Sequence, residues 1–404
     1  MNKNIFYNLC FFFIIINFII FSKCFCNDSL YRMKFNFLLT VDYTIFEGTF
    51  IDIGKEFKSG SSLKKILSFI SFGRIDSYFT NNIGLKIFDG KFFLNKVYIN
   101  YTNWFKNFSL SVGKIYLSFG LEKGNCDIFL HKSVGTKTLY PNVGIGFKFD
   151  KWNKYYTFSL AINQIKQMKC SYSAFTKKKN YYFNKYDNFA VSARFAYRFI
   201  IDNFYNNLLQ YGFSFYYENT DGNYLRYKSF PEATSRNTIP VLDTNCKNNR
   251  LLKAMYKYNM EFDFAVQFYS FLSNVEFHSS SIKNDIEEIF TYFSWHVQLS
   301  YIITGEKRKF IKKEGVWGNV NFVKCTKNVF ELGFRYSFID FEVGNFITTG
   351  RSRNKTFGIN WYMNSNVHLF LNYIRSLQNP SINAGFDSIR RKLNILGIRF
   401  QYRY

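Results

Sequence analysis

The chain has little of what catalytic and metal-binding proteins rely on. Its only four histidines are His131, His278, His296 and His368. No GxSxG, HExxH or metal-spaced cluster accompanies them, so serine hydrolysis and zinc chemistry have no visible machinery. The sequence therefore points away from an enzyme and calls for no metal and no cofactor. Beyond the N-terminal segment, Cys126, Cys170, Cys246 and Cys325 are scattered singly. Without a CxxC pair they make neither a zinc ribbon nor a disulfide framework. Only 4 prolines are present, and no linker divides the chain into domains. After the first residues no apolar run is long enough for a membrane helix, and no run of good helix formers appears. Acidic residues are also scarce: 28 Asp plus Glu against 53 Lys plus Arg leave a net charge of +25. That excess implies an anionic partner, whether nucleic acid, anionic lipid or small anions.

What the chain has in plenty is aromatic residues in alternating segments. Aromatics are 22% of the sequence, dominated by 52 Phe and 31 Tyr, residues that favour strands. The final "NILGIRFQYRY" places Leu396, Ile398, Phe400, Tyr402 and Tyr404 on one face, with Gly397, Arg399, Gln401 and Arg403 on the other. "MKFNFLLTVDYTIF" does the same, with Lys34, Asn36, Thr40 and Asp42 on its polar face. Eight or more further segments repeat the habit, separated by turn residues in "IFDGKFF" and "WYMNSNVHL". Segments of about ten residues alternating apolar and polar are the signature of a transmembrane β-barrel. A soluble sandwich would also alternate, but such aromatic faces on nearly every strand would aggregate in water, which also counts against a secreted nucleic-acid-binding protein.

The expected fold is therefore all-β, a transmembrane antiparallel β-barrel over 27–404. Trp and Tyr near the ends of "WYMN", "FSWH" and "DKWNKYY" suit aromatic girdles. The start, "MNKNIFYNLCFFFIIINFIIFSKCFCND", has Lys3 ahead of an apolar run and small residues at Cys24 and Cys26. It reads as a signal peptide over 1–26, cleaved on export. The terminal aromatic suits a last strand that closes against the first. Less periodic stretches at 54–74, 164–187, 218–253 and 304–328 are expected to be long loops, outside or folded into the lumen.

An Arg or Lys facing lipid costs about 2–4 kcal/mol at the midplane and almost nothing at the interface, so mid-strand cations belong on the lumen face. Arg194 and Arg198 alternate against Phe189, Val191, Phe195 and Phe199; Arg335 against Phe330, Leu332 and Phe334; Lys148 against Ile145 and Phe147. With Lys34, Arg399 and Arg403 they outline an inward-facing basic set, an electrostatic funnel for anions. For any one of them the alternative is a solvated rim charge or a partner for a lumen carboxylate such as Glu331, Asp263 or Asp42. His296 and His368, flanked by alternating apolar residues, are expected to line the lumen.

From about residue 75 onward the sequence resembles the phosphate-selective porin O/P family of diderm bacteria. "TFGINWYMNSNVHLFLNYIRS" is similar to its penultimate hairpin, "VQLSYIITGEKRKFIKKEGVWGNV" to its Thr-Gly-Glu segment, and "FELGFRYSFIDF" to its Arg-Tyr-Ser strand. "LSVGKIYLSFGLEK" and "RYKSFPEATSRNTIPVLDTN" resemble two further stretches. The resemblance implies a bacterial outer-membrane barrel of 16 strands, a homotrimer, with a basic ladder leading small anions such as phosphate to a narrow site. It also implies that Lys114 and Lys123, flanking "IYLSFGLE", lie on or near a constricting loop, and that Arg226 and Lys228 fall where the family is basic. The alternatives are a general porin without preference and an adhesin or structural barrel.

Overall fold

Sixteen alternating segments hydrogen-bond in one antiparallel ring. The computed structural model describes residues 32–51, 56–74, 77–88, 90–122, 128–141, 143–165, 168–172, 179–183, 188–202, 207–225, 227–232, 242–243, 252–284, 286–322, 328–341, 350–379 and 390–404. The expected signal peptide lies outside them, as do Lys123, Arg226, Cys126, Cys246 and Cys325.

The wall runs through β1 (Arg32–Phe50), β2 (Glu56–Arg74), β3 (Phe79–Phe88), β4 (Lys91–Asn103), β5 (Phe108–Ile115), β6 (Gly144–Trp152) and β7 (Tyr156–Ile165). The short pair β8 (Met168–Tyr172) and β9 (Lys179–Phe183) stands apart from it. The wall resumes with β10 (Asn188–Asp202) and β11 (Asn207–Leu225). After another short pair, β12 (Lys228–Ser229) and β13 (Leu242–Asp243), come β14 (Leu252–Phe268), β15 (Phe271–Asn284) and β16 (Ile289–Ile302). A hairpin of β17 (Lys307–Ile311) and β18 (Val316–Asn321) precedes β19 (Val329–Asp340), β20 (Arg351–Tyr362), β21 (Val367–Asn379) and β22 (Arg391–Arg403). Closure is made by β22 on β1, in register from Leu38↔Arg403 to Phe50↔Arg391. A closed ring leaves no strand edge unpaired, which is what a sheet in lipid requires.

Alternation sets the two surfaces. Odd residues of β1 and even residues of β22 point outward, and Phe35, Tyr43, Ile45, Leu396, Ile398 and Phe400 lie exposed on the outer wall. The opposite parity carries Thr40, Asp42, Thr44, Arg399 and Gln401, buried inside. Apolar outside and polar inside inverts the pattern of a water-soluble barrel. Trp295 and Trp361 belong to the outward set, Trp361 stacked on Phe330 at 5.8 Å. Trp152 departs from the girdle expectation: it is 5% exposed, on the inward parity of β6.

One expected loop is a strand. Residues 54–74 lack alternation around Ser61–Ser62 and Lys64–Lys65, yet 56–74 pair with β1 along their length, with one register shift between Gly48 and Thr49. The turns at "IFDGKFF" and "WYMNSNVHL" are tight, the first with Gly90 in the left-handed region at φ +70.

Candidate functional site: the barrel lumen

The lumen is shaped by three segments that fold inward. After β5, at the end of the barrel opposite Arg32 and Tyr404 (the terminal end), residues 116–122 and 128–141 turn into the interior, the latter carrying a short helix, α1 (Val134–Leu139). Their apolar side chains, among them Phe119, Ile128, Val134 and Leu139, are buried against the wall. Wall strands hold this segment by its backbone: Gly120 N–H donates to Ser214 Oγ at 3.1 Å, Asn259 Nδ2 to the Leu139 carbonyl at 2.7 Å, and Asn360 Nδ2 to the Ile128 carbonyl at 2.9 Å. Residues 227–232 form the second segment, with Tyr227 Oη 2.8 Å from Ser280 Oγ. The third enters from the terminal end. The hairpin of β17 and β18 crosses to the far wall, where the Lys312 carbonyl accepts from Thr157 Oγ1 at 2.7 Å and the Gly315 carbonyl from Gln210 Nε2 at 2.8 Å.

Arg194, Arg198, Arg335, Arg399 and Lys148 all have the inward parity that alternation assigns them. Most meet a carboxylate. Arg194 Nη1 lies 2.5 Å from Asp263 and 3.3 Å from Glu261. Arg399 grips Asp42 with two bonds, of 2.6 and 2.9 Å. Arg335 joins two of the inserted segments, reaching Glu122 at 2.7 Å, Glu232 at 2.6 Å and the His131 carbonyl at 2.8 Å. Lys148 sits 2.9 Å from Asp150. Arg198 instead donates to neutral oxygens, Thr157 Oγ1 at 2.8 Å and the Asn153 and Tyr156 carbonyls at 2.8 and 2.7 Å. A guanidinium so enclosed is a structural clamp with few donors left for a passing anion. Lys34 is exposed near the terminal end, and Arg403 sits at the same rim beside the turn at Asn366.

Lys114 lies beside the inserted segment without pointing into the lumen. It ends β5 just before the inserted segment, but it belongs to the outward parity and donates to the Leu94 carbonyl at 2.6 Å. Lys228 lies on β12, paired with Asp243 in backbone register. His278, His296 and His368 all face inward and are buried. The first two flank Glu276, which accepts from Tyr140 Oη at 2.6 Å and the Glu122 N–H at 2.8 Å. Burial and Glu276 push the Tyr140 phenol well up, keeping it a hydrogen-bond donor.

The sequence reading missed two groups. Arg308, inside an aperiodic stretch, forms a buried bidentate pair with Glu331 at 2.6 and 2.7 Å, completed by Tyr362 and Asn360. The second is a row of inward lysines on the thinly covered wall: Lys64 on β2, Lys86 on β3 and Lys96 on β4. The lumen faces of β2–β4 are only partly covered, whereas those of β10–β21 are almost fully buried beneath the inserted segments. Lys313, at the hairpin tip, reaches toward this wall, 3.4 Å from Asn100 Oδ1. Lys137 on α1 is solvent-accessible but ringed by protein; burial, helped by Lys64, pushes its ammonium down to about 7. Among the described residues no His, Cys, Asp and Glu cluster can hold a metal.

Residues 76–404 match the family described as phosphate-selective porin O and P. Solved barrels share the fold at low identity. OmpT, an outer membrane protein of Vibrio cholerae, is 10% identical with TM-score 0.55, over 94% of this chain and 99% of that one. The anion-selective porin from Comamonas acidovorans is 9% identical with TM-score 0.54, over 92% and 100%. The outer membrane channel DcaP of Acinetobacter baumannii is 10% identical with TM-score 0.55, over 94% and 99%. No curated protein sequence matches the chain.

Proposed function

Since the chain belongs to the phosphate-selective porin O and P family, and is thus an outer-membrane porin, we propose that it passes small anions, phosphate among them, by passive diffusion along its lysine-lined wall. The supporting observation is that most lumen charges are segregated, and that Asp42, opposite Lys64 in the β1–β2 ladder, is itself held by Arg399. The carboxylates Glu232, Glu261, Asp263, Glu276 and Glu331 lie on the covered side, each 4% exposed or less and held by arginine, hydroxyl or backbone groups. Lys64, Lys86 and Lys96 lie on the partly open side, with Lys137 and Lys313 brought toward them by the inserted segments. An anion on that side meets successive point charges that hold it weakly enough to release it. Arg194, Arg335 and Arg399 act one step removed: they neutralise carboxylates that would otherwise repel the anion, and Arg335 ties together two of the segments that narrow the path. Trimer formation is part of the same reading, on the family likeness.

The test is planar-bilayer conductance under salt gradients of potassium chloride and potassium phosphate. Anion preference is expected, and replacing Lys64, Lys86 and Lys96 together with Gln should lower the chloride-over-potassium permeability ratio severalfold. Cation preference in the unaltered protein, or an unchanged ratio in the triple variant, would sink the proposal. A general channel without preference is the second reading, favoured by the many lumen carboxylates; equal chloride and potassium permeability would establish it.

A further inference from the structure

The outer wall of this barrel carries a cluster of cations beside one end of its apolar band. On β20 and β21 the even residues are buried inside, so Arg353, Lys355 and Arg375 point outward, and all three are exposed. Lys355 and Arg375 are directly opposite across the β20–β21 ladder. Arg353 and Lys392 flank Leu377 in the next row, Lys392 on the outward parity of β22. Below them, toward the terminal end, the same three strands present only apolar and aromatic rows, including Phe357, Ile359, Tyr373 and Leu396.

Like charges directly opposite on one sheet face repel, and a cation on a lipid-facing wall is tolerated only where it reaches the interface. Among the described residues neither Lys355 nor Arg375 forms an ion pair. The nearby carboxylate, Asp340, bonds Arg351 at 2.8 Å one row closer to the rim. Among the described residues no carboxylate faces this pair, so the arrangement suits an anion from outside the chain, at the level where the apolar band gives way to headgroups. A lumen anion cannot supply it, because these side chains point away from the pore.

We propose that the outer face of β20–β22 is a binding site for the phosphate headgroup of a lipid in the surrounding leaflet. Arg353 and Arg375 supply the planar fork that matches phosphate oxygens, and Lys355 and Lys392 supply point charges that rise along their own stems to the same level. The acyl chains lie on the apolar rows beneath. The site is independent of which ion the pore prefers, and it fixes which face of the barrel carries an annular lipid.

The test uses the full chain in bilayers of phosphatidylcholine with a minor fraction of phosphatidylglycerol, reading retained phosphatidylglycerol by native mass spectrometry. The unaltered protein and a K65Q control, changed elsewhere on the outer wall, should retain it. A K355Q/R375Q double variant should lose it severalfold, and in pure phosphatidylcholine it should be at least as heat-resistant as the unaltered protein. Inorganic phosphate added at matching concentration should displace little, because it lacks the chains. Equal retention by the double variant overturns the proposal, and so does full displacement by inorganic phosphate, which would mark a site for the free ion. Where the double variant does not fold, K355Q and R375Q singly carry the test: each should lose part of the lipid, and unchanged retention in both refutes the site.

Discussion

Arg194 shows what a lumen cation does when its surroundings are complete. Alternation assigns it to the inside, but no pattern in one strand reveals that Glu261 and Asp263, 67 and 69 residues away, will meet it. Arg194→Ala leaves two carboxylates buried without their cation, and removing one partner of such a pair typically costs about 3–5 kcal/mol. Urea unfolding in detergent should register a loss of that order, while the chloride-over-potassium ratio should change less than in Lys96→Gln. The opposite ranking would restore Arg194 to the anion path. Lys137 gives a second prediction, in pH. Its ammonium is pushed down to about 7 by burial beside Lys64, so the lumen loses a positive charge as pH rises from 6 to 8. Anion conductance should fall across that window, and Lys137→Met should flatten the fall. The stability sign is separate: between about 7 and the ordinary lysine value the unfolded chain binds the extra proton, so this group's contribution to stability grows with rising pH there. Residues such as Arg308 were illegible because a cation in an aperiodic stretch carries no facing information; its burial follows from the hairpin's path, which only tertiary packing sets.

At the scale of elements, legibility follows periodicity. Strands with one greasy face, such as β20 and β22, declare themselves because every second residue must meet lipid. β2 does not, since serines and adjacent lysines replace its apolar rows for half its length; its strand state comes from nineteen-residue β1 beside it. The stretch "IYLSFGLE", which resembles a family stretch, begins the first inserted segment, and periodicity gives no sign of it. The resemblance carries no information on the direction of Lys114, which parity at the end of β5 places on the outward side. The hairpin of β17 and β18 was expected only as a loop. Its tip spans the lumen to Thr157 and Gln210, so replacing 307–321 with a short turn should widen the path. Single-channel conductance is expected to rise severalfold with weaker anion preference, since Lys313 leaves with it. An unchanged conductance would show that the hairpin lies off the conducting route.

The whole molecule is a tube whose two half-walls do different work. On β10–β21 buried ion pairs and inserted segments make a solid filling; on β2–β4 the lumen face stays partly open and basic. The net charge of +25 is therefore a poor guide to the pore, because part of that excess lies outside the lumen, on the outer wall at Arg353, Lys355 and Arg375. What an ion senses is the local excess on one side of an eccentric path. Such a field is exposed to water and must be screened by salt: the Debye length shrinks from about 10 Å at 0.1 M to about 3 Å at 1 M. Reversal potentials at a fixed concentration ratio should show strong anion preference at the low salt and much less at the high. If selectivity arose instead from a dry, desolvated site enclosing one anion, screening would barely reach it, and the preference would survive at 1 M. The comparison thus separates a basic wall that biases diffusion from a closed binding site. The partly open faces of Lys64, Lys86 and Lys96 place the expectation on the wall.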